Sequence, residues 1–166
     1  MERSKFLKQG LLLGGAVFIT TGFNNKEEVP LIEKDEIDEF VGVAHNSLEK
    51  TQKMLKANPL ILNGASQLAK GDFETALGGA SHMGRKDIAD LLISHGARMD
   101  IFTFAFLGYS ELVKQLVKRQ PQLLNSYGPH GFTLLHHAKV GKQTALANWI
   151  ESQGLTKEIF DDVFDF

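Results

Sequence analysis

The sequence predicts an all-α fold, a solenoid of about four stacked helix-turn-helix units. The chain has 166 residues, of which 43% are hydrophobic and 23% are charged, so it is long enough to form one globular domain with a buried core. Apolar residues also recur at helical spacing behind four turn positions. Recurrence of this kind is typical of proteins built from stacked repeats.

The four turn positions are Ser47, Gly84, Gly108 and Lys142, spaced by 37, 24 and 34 residues. Four residues after each turn lie Thr51, Ile88, Leu112 and Leu146, and eight residues after each lie Leu55, Leu92, Leu116 and Ile150. Positions four apart share one face of an α-helix, so we expect the second helix of each unit to bury this pair. One helix pair cannot cover its own apolar face, which favours stacking of successive pairs.

Two segments resemble the ankyrin repeat. Residues 71–97 contain Thr75-Ala76-Leu77, Gly79-Ala80-Ser81-His82, Gly84 and Leu91-Leu92-Ile93-Ser94-His95-Gly96-Ala97, and residues 131–138 read Gly-Phe-Thr-Leu-Leu-His-His-Ala. The resemblance implies an ankyrin-repeat domain at 36–154 that binds other proteins through loop tips and first helices. The chain departs from the family pattern, because Ala76 and Leu134 stand where it has proline. The third unit, from Ile101, follows Gly96 too closely to leave room for the family's β-hairpin.

Residues 1–22 are expected to form a signal peptide. Arg3, Lys5 and Lys8 precede an apolar stretch of about 14 residues, too short to span a bilayer comfortably. The run from Arg3 to Lys8 resembles the twin-arginine export signal, although Ser4 replaces the second arginine. Export to the periplasm or the medium is therefore expected. The alternatives are an uncleaved membrane anchor or a buried N-terminal helix.

The domain is expected to be flanked by two short segments. Residues 23–35 are polar, contain Pro30 and are predicted to form a linker. In residues 155–166 apolar and acidic side chains alternate, with Ile159, Phe160, Val163 and Phe164 at helical spacing. This spacing predicts a short helix that caps the last unit. A disordered tail or a partner-binding peptide is the alternative.

Composition excludes several functions. The formal net charge of −2 argues against nucleic-acid binding, and the absence of cysteine excludes disulfides, thiolate nucleophiles and cysteine-based metal sites. The run from Gly79 to Lys86 is not a phosphate loop, because no lysine follows its second glycine. We expect no catalysis, no cofactor and no metal. His136 occupies the ankyrin histidine position, and the resemblance implies that it ties a helix start to neighbouring backbone.

The candidate residues for partner binding lie in three places. They are Arg98 at a short tip, Phe102, Phe106 and Tyr109 around the aromatic run 101–107, and Tyr127 and His130 in a glycine-rich loop. By helical spacing Ile101, Phe104 and Ala105 face the core, which puts Phe102 and Phe106 on another face. That pair is either an exposed contact patch or a filling for the space of the missing hairpin.

The predicted function is a monomeric, non-catalytic interaction module that binds an extracytoplasmic partner protein. One alternative is a ligand-binding or enzymatic helical domain whose pocket is lined by His82, His136 and nearby acids. Another is a structural helper of an enzyme that is exported alongside it. Membrane contact is expected only through the leader.

Overall fold

The computed structural model describes residues 31–161 and residue 163, and this part of the chain is largely α-helical. Its eight α-helices form four consecutive pairs. The pairs are α1 (Lys34–Ala44) with α2 (Leu48–Ala57), α3 (Ala76–His82) with α4 (Lys86–Ser94), α5 (Ile101–Leu107) with α6 (Ser110–Arg119), and α7 (Leu134–Val140) with α8 (Thr144–Ser152). Short 3₁₀ helices span Pro59–Asn63, Pro121–Asn125 and Pro129–Gly131.

The predicted turn positions separate the two helices of each pair. Gly84, Gly108 and Lys142 adopt left-handed backbone conformations with φ of 68°, 81° and 58°. Ser47 caps α2 through its side-chain oxygen, which accepts a hydrogen bond from the backbone N–H of Lys50 at 3.3 Å. Both devices end one helix and start the next within a few residues, which explains the tight turns.

The first helices of the four pairs pack against one another in chain order, α1 on α3, α3 on α5 and α5 on α7. Two hydrophobic clusters result. Phe40, Leu77 and Leu92 belong to the first, and Leu135 and Ile150 belong to the second. Helix α5 contributes to both clusters, with Phe106 in the first and Ala105 in the second. The packing of α5 therefore joins the earlier units to the later ones.

A two-stranded antiparallel hairpin precedes α3, so the expectation of an all-α fold is wrong in this detail. Strand β1 (Ala65–Ala69) pairs with β2 (Asp72–Thr75), and Gly71 turns between them with φ of 81°. Thr75 ends the hairpin and caps α3, since its hydroxyl accepts from the N–H of Gly78 at 3.1 Å. Because the helix starts only at residue 76, the preceding residues are free to pair as strands.

The third unit buries a different face of its second helix from the one predicted. Leu112 is 40% exposed and Leu116 is partly exposed, whereas Val113 and Val117 are buried. In the other three units the predicted positions four and eight residues after the turn are buried. A shift of one residue rotates the buried face of a helix by about 100°. In this unit, residues 95–100 connect α4 to α5 without a β-hairpin between them.

The C-terminal segment covers the last unit, but residues 155–161 do so as extended chain and turn rather than as the predicted helix. Ile159 forms a β-bridge with Phe132, and the N–H of Phe160 donates to the carbonyl of Gly131 at 3.0 Å. These pairings satisfy backbone groups beside the start of α7, which a helical tail cannot do.

The predicted signal peptide, residues 1–22, lies outside the described residues, as does most of the predicted linker. Helix α1 begins at Lys34, so the last two residues assigned to the linker are helical. Within the part of the chain that the structure describes, every helix is too short or too polar to cross a membrane.

Candidate functional site

Strand β2 carries its acidic side chains on the inner face and an aromatic one outside. Asp72 and Glu74 are 3% and 1% exposed, whereas Phe73 between them is 60% exposed. Successive side chains of a strand point to opposite faces, so this pattern is set by the strand itself. A half-buried strand ordinarily turns its apolar residues inward. In β2 the pattern is inverted, so the carboxylates of Asp72 and Glu74 lie on the buried side of the hairpin.

Three histidines surround the carboxylate of Glu74. The distance from Glu74 Oε1 to His82 Nδ1 is 3.0 Å, and the distances from Oε2 to His45 Nε2 and His130 Nε2 are 3.2 and 3.7 Å. One ligand-type atom from each of the four side chains lies within 4.8 Å of all the others. We call His45, Glu74, His82 and His130 the histidine cluster.

The cluster draws on four separate elements. His45 follows directly after α1, and its Nδ1 lies 2.9 Å from the carbonyl oxygen of Val41. Gly79 in α3 makes room for this ring, because a Cβ there would lie 2.8 Å from it. His82 is the last residue of α3 and is almost fully buried.

His130 reaches the cluster from the loop before α7. Its backbone is left-handed, with φ of 58°, a conformation uncommon outside glycine. Asp72 holds this loop through both its oxygens, accepting from the His130 N–H at 3.1 Å and lying 3.2 Å from its Nδ1. These contacts with Asp72 hold the loop so that His130 Nε2 lies 3.7 Å from Glu74 Oε2.

The cluster is electrostatically coupled. Burial raises the pKa of Glu74, but the facing imidazoles of His45 and His82 outweigh it and bring that pKa to about 2. The Glu74 carboxylate in turn raises the pKa of His45. Even so, neither oxygen of Glu74 nor Nδ1 of His82 makes a hydrogen bond of normal geometry. The atoms are close together without being aimed along each other's hydrogen-bond directions.

His136 lies behind the cluster and supports it. Its Nε2 is 2.9 Å from the backbone carbonyl oxygen of His82, and its ring stacks on Phe132 with 4.0 Å between centroids. The predicted tie to neighbouring backbone is confirmed. Of the residues in the alternative pocket of His82, His136 and nearby acids, His82 faces the acid Glu74 at 3.0 Å, whereas Nε2 of His136 faces the backbone carbonyl oxygen of His82.

The predicted partner-binding residues do not form one site. Phe106 is buried in the core, 3% exposed, and this corrects its assignment to an interaction surface. Phe102 is partly buried, and its ring packs against His137 and beside Gly128. The pair therefore fills space within the stack, with Phe106 in the core and Phe102 partly covered by His137.

The other four candidates are dispersed. Arg98 is exposed after α4, Tyr109 is 49% exposed after the turn of the third unit, and Tyr127 is 43% exposed in the loop before α7. His130 belongs to the histidine cluster. Sequence reasoning missed His45, Asp72 and Glu74 as site residues. The acid-aromatic-acid order of β2 is the signal that could have found the last two.

Chemically, a carboxylate facing three imidazole nitrogens can share protons with them or bind a cation together with them. No family model matches the chain, and a search of curated proteins found no match either.

Proposed function

We propose that the chain is a non-catalytic interaction module of the ankyrin type that binds a partner protein outside the cytoplasm. The observation that supports this best is the pair of neighbouring tips before α3 and α7. The β1–β2 hairpin contacts the loop around Pro129–Gly131, and each tip bears an exposed aromatic ring, Phe73 on the hairpin and Tyr127 on the loop.

The helix stack gives these tips a fixed base. The first helices α3, α5 and α7 pack side by side, and Asp72 in the hairpin holds the backbone of His130 in the loop at 3.1 Å. Binding residues that are positioned by a rigid scaffold lose little entropy on association. Aromatic residues are enriched in protein interfaces, where they often contribute a large share of the binding energy.

The extracytoplasmic location is supported by the sequence of residues 1–22 alone. Mapping the N-terminus of the protein from fractionated cells tests it. A protein that begins near residue 23 in the periplasm or medium would support export. A protein that retains Met1 and stays in the cytoplasm would contradict it.

Site-specific photo-crosslinking in the native host tests the interaction. A photoreactive phenylalanine analogue replaces Phe73 or Tyr127, and in the control it replaces Leu112, which is 40% exposed on α6. We expect discrete adducts with one partner protein from both tips and none from the control. Absence of adducts from both tips, or the same adducts from Leu112, would contradict the proposed surface.

A further inference from the structure

We propose that the histidine cluster binds one divalent first-row transition-metal ion, with Zn²⁺ as the representative ligand. The ligands would be His45 Nε2, Glu74, His82 Nδ1 and His130 Nε2. This site is separate from the exposed tips, and its presence does not depend on partner binding.

The distances match those of a coordination sphere. Nitrogen and oxygen ligands lie about 2.0–2.1 Å from zinc, so two ligand atoms of a tetrahedral site are about 3.3 Å apart. The nitrogen-to-oxygen distances around Glu74 are 3.0, 3.2 and 3.7 Å. All four ligand atoms lie within 4.8 Å of one another, so the side chains must move closer together by no more than about 1.5 Å to bind a common ion.

The polar atoms at the centre face one another at short distance but lack well-aligned hydrogen bonds. The Glu74 side chain is fully buried, yet both its oxygens and His82 Nδ1 are without a hydrogen bond of normal geometry. A buried carboxylate without such partners is costly, and each such group in a folded protein calls for an explanation. A cation bound between these atoms would satisfy all three at once.

In His45 and His130 the ring nitrogen that does not face Glu74 contacts an oxygen acceptor, as is typical of metal-binding histidines. Nδ1 of His45 lies 2.9 Å from the Val41 carbonyl, and Nδ1 of His130 lies 3.2 Å from Asp72. Metal-binding histidines typically donate their second N–H to a carbonyl or a carboxylate, which fixes the ring and leaves the other nitrogen for the metal. In both residues that other nitrogen, Nε2, is the one that faces Glu74.

The ligand types select the metal. Three imidazoles and one carboxylate suit Zn²⁺, Cu²⁺, Ni²⁺ or Fe²⁺, whereas Mg²⁺ and Ca²⁺ require oxygen ligands. The chain has no cysteine, so thiolate does not contribute. Within the transition series, affinity is expected to rise from Co²⁺ to Ni²⁺ to Cu²⁺, with Zn²⁺ below Cu²⁺.

The test uses the full chain, purified without a polyhistidine tag and stripped with a chelator. Zn²⁺ binding is measured by competition with a chromophoric chelator, and Co²⁺ binding by its visible absorption. We expect one ion of either metal per chain and no competition from millimolar Mg²⁺. X-ray absorption of the zinc-loaded protein should show nitrogen and oxygen neighbours at about 2.0 Å, with imidazole among them.

Two variants and a control locate the site. His130→Asn removes one ligand while keeping a residue type that tolerates the left-handed backbone, and Glu74→Gln removes the charge at nearly constant shape. His95→Asn is the control, because His95 is exposed at the end of α4. Circular dichroism confirms that each variant is folded. Each site variant should weaken Zn²⁺ binding by more than about 100-fold, and the control should not change it.

Failure to bind Zn²⁺ and Co²⁺ at one ion per chain would overturn the proposal, and the cluster would then be a proton-sharing network. Equal loss of binding in His95→Asn, or unchanged binding in a folded His130→Asn or Glu74→Gln, would overturn it as well. If both variants fail to fold, the X-ray absorption spectrum of the unmodified protein decides, since a site without imidazole ligands is not this cluster.

Discussion

Replacing Gly141 by alanine tests whether the third and fourth units pack as closely as the structure shows. Gly141 ends α7 with φ of −75°, which alanine adopts readily, so backbone strain plays no part. A Cβ at this position would lie 2.0 Å from the carbonyl oxygen of Phe106, the penultimate residue of α5, whereas ordinary contact begins at 3.4 Å. The two helix ends must separate by more than about 1 Å to admit one methyl group.

The expected loss of stability follows from two opposing effects. Overpacking costs about 1–3 kcal/mol, and a clash with backbone belongs at the upper end of that range. Alanine also lowers the entropy of the unfolded chain, which returns about 0.4–1 kcal/mol. We therefore expect Gly141→Ala to lower the free energy of unfolding by about 2 kcal/mol. Gly42→Ala is the matched control, since no atom lies within 4 Å of its Cβ on α1, and it should stabilise by about 1 kcal/mol.

Urea unfolding, followed by circular dichroism with a chelator present, measures both variants against the unmodified chain. With a slope of about 2 kcal/mol per molar urea, the midpoint should fall by about 1 M for Gly141→Ala and rise by about 0.5 M for Gly42→Ala. An unchanged slope shows that the comparison is valid. A Gly141→Ala protein as stable as Gly42→Ala would refute the close contact of α5 with α7.

Three further predictions concern pH, register and the histidine cluster. Burial lowers the pKa of His137 to about 4, below the 6.5 of an unfolded chain, so the contribution of the neutral imidazole to the free energy of unfolding is complete above pH 6.5. As the pH falls towards 4 the unfolded chain takes up a proton at this residue, and the free energy of unfolding decreases by about 3 kcal/mol. In urea titrations, His137→Gln should therefore lose less stability between pH 7 and pH 4.5 than the unmodified chain, and an equal loss would contradict this prediction. In urea unfolding, Val113→Ala should lower the free energy of unfolding by about 2 kcal/mol and Leu112→Ala by less than about 0.5 kcal/mol, because only Val113 is buried. The reverse order would show that α6 buries the face predicted from sequence. Gly79→Ala should weaken Zn²⁺ binding at least about 10-fold in the chelator competition, because its Cβ would lie 2.8 Å from the imidazole of His45. Gly78→Ala is the control, since its Cβ would have no neighbour closer than 3.5 Å. Equal Zn²⁺ affinities of the two variants would show that the position of the His45 ring does not affect binding.

The helix pairs could be predicted because their signals are local. Ile88 and Leu92 are four residues apart on one helix face, and both are buried in α4 as expected. Gly84 and Gly108 were predicted to be turn positions, and both adopt positive φ. Each of these features depends on a few consecutive residues, so the printed sequence contains nearly all the information needed.

The third unit shows where local reasoning fails. The counts that place Leu55, Leu92 and Ile150 in the core also select Leu116, yet the neighbouring Val117 is the buried residue. Both choices have helical spacing within α6. The residues that pack against the helix decide between them, and those residues are distant in sequence.

The histidine cluster was beyond prediction for a similar reason. His45, Glu74, His82 and His130 extend over 86 residues of chain and come from four different elements. The alternative reading of the sequence placed His82, His136 and nearby acids in one pocket, but it did not single out Glu74 and did not include His45 or His130. Proximity between distant residues arises only when α1, α3 and the two tips have packed.

The sequence by itself determined that residues 34–152 form four helix pairs, where each pair turns, and which residues are hydrophobic enough to drive stacking. Only the tertiary structure decided which face of α6 is buried, that Phe106 belongs to the core, and that one carboxylate lies among three imidazoles. The physical reason is that helix periodicity and turns are set by neighbours along the chain. Burial and side-chain clusters depend instead on contacts between residues far apart in sequence, which form only on packing.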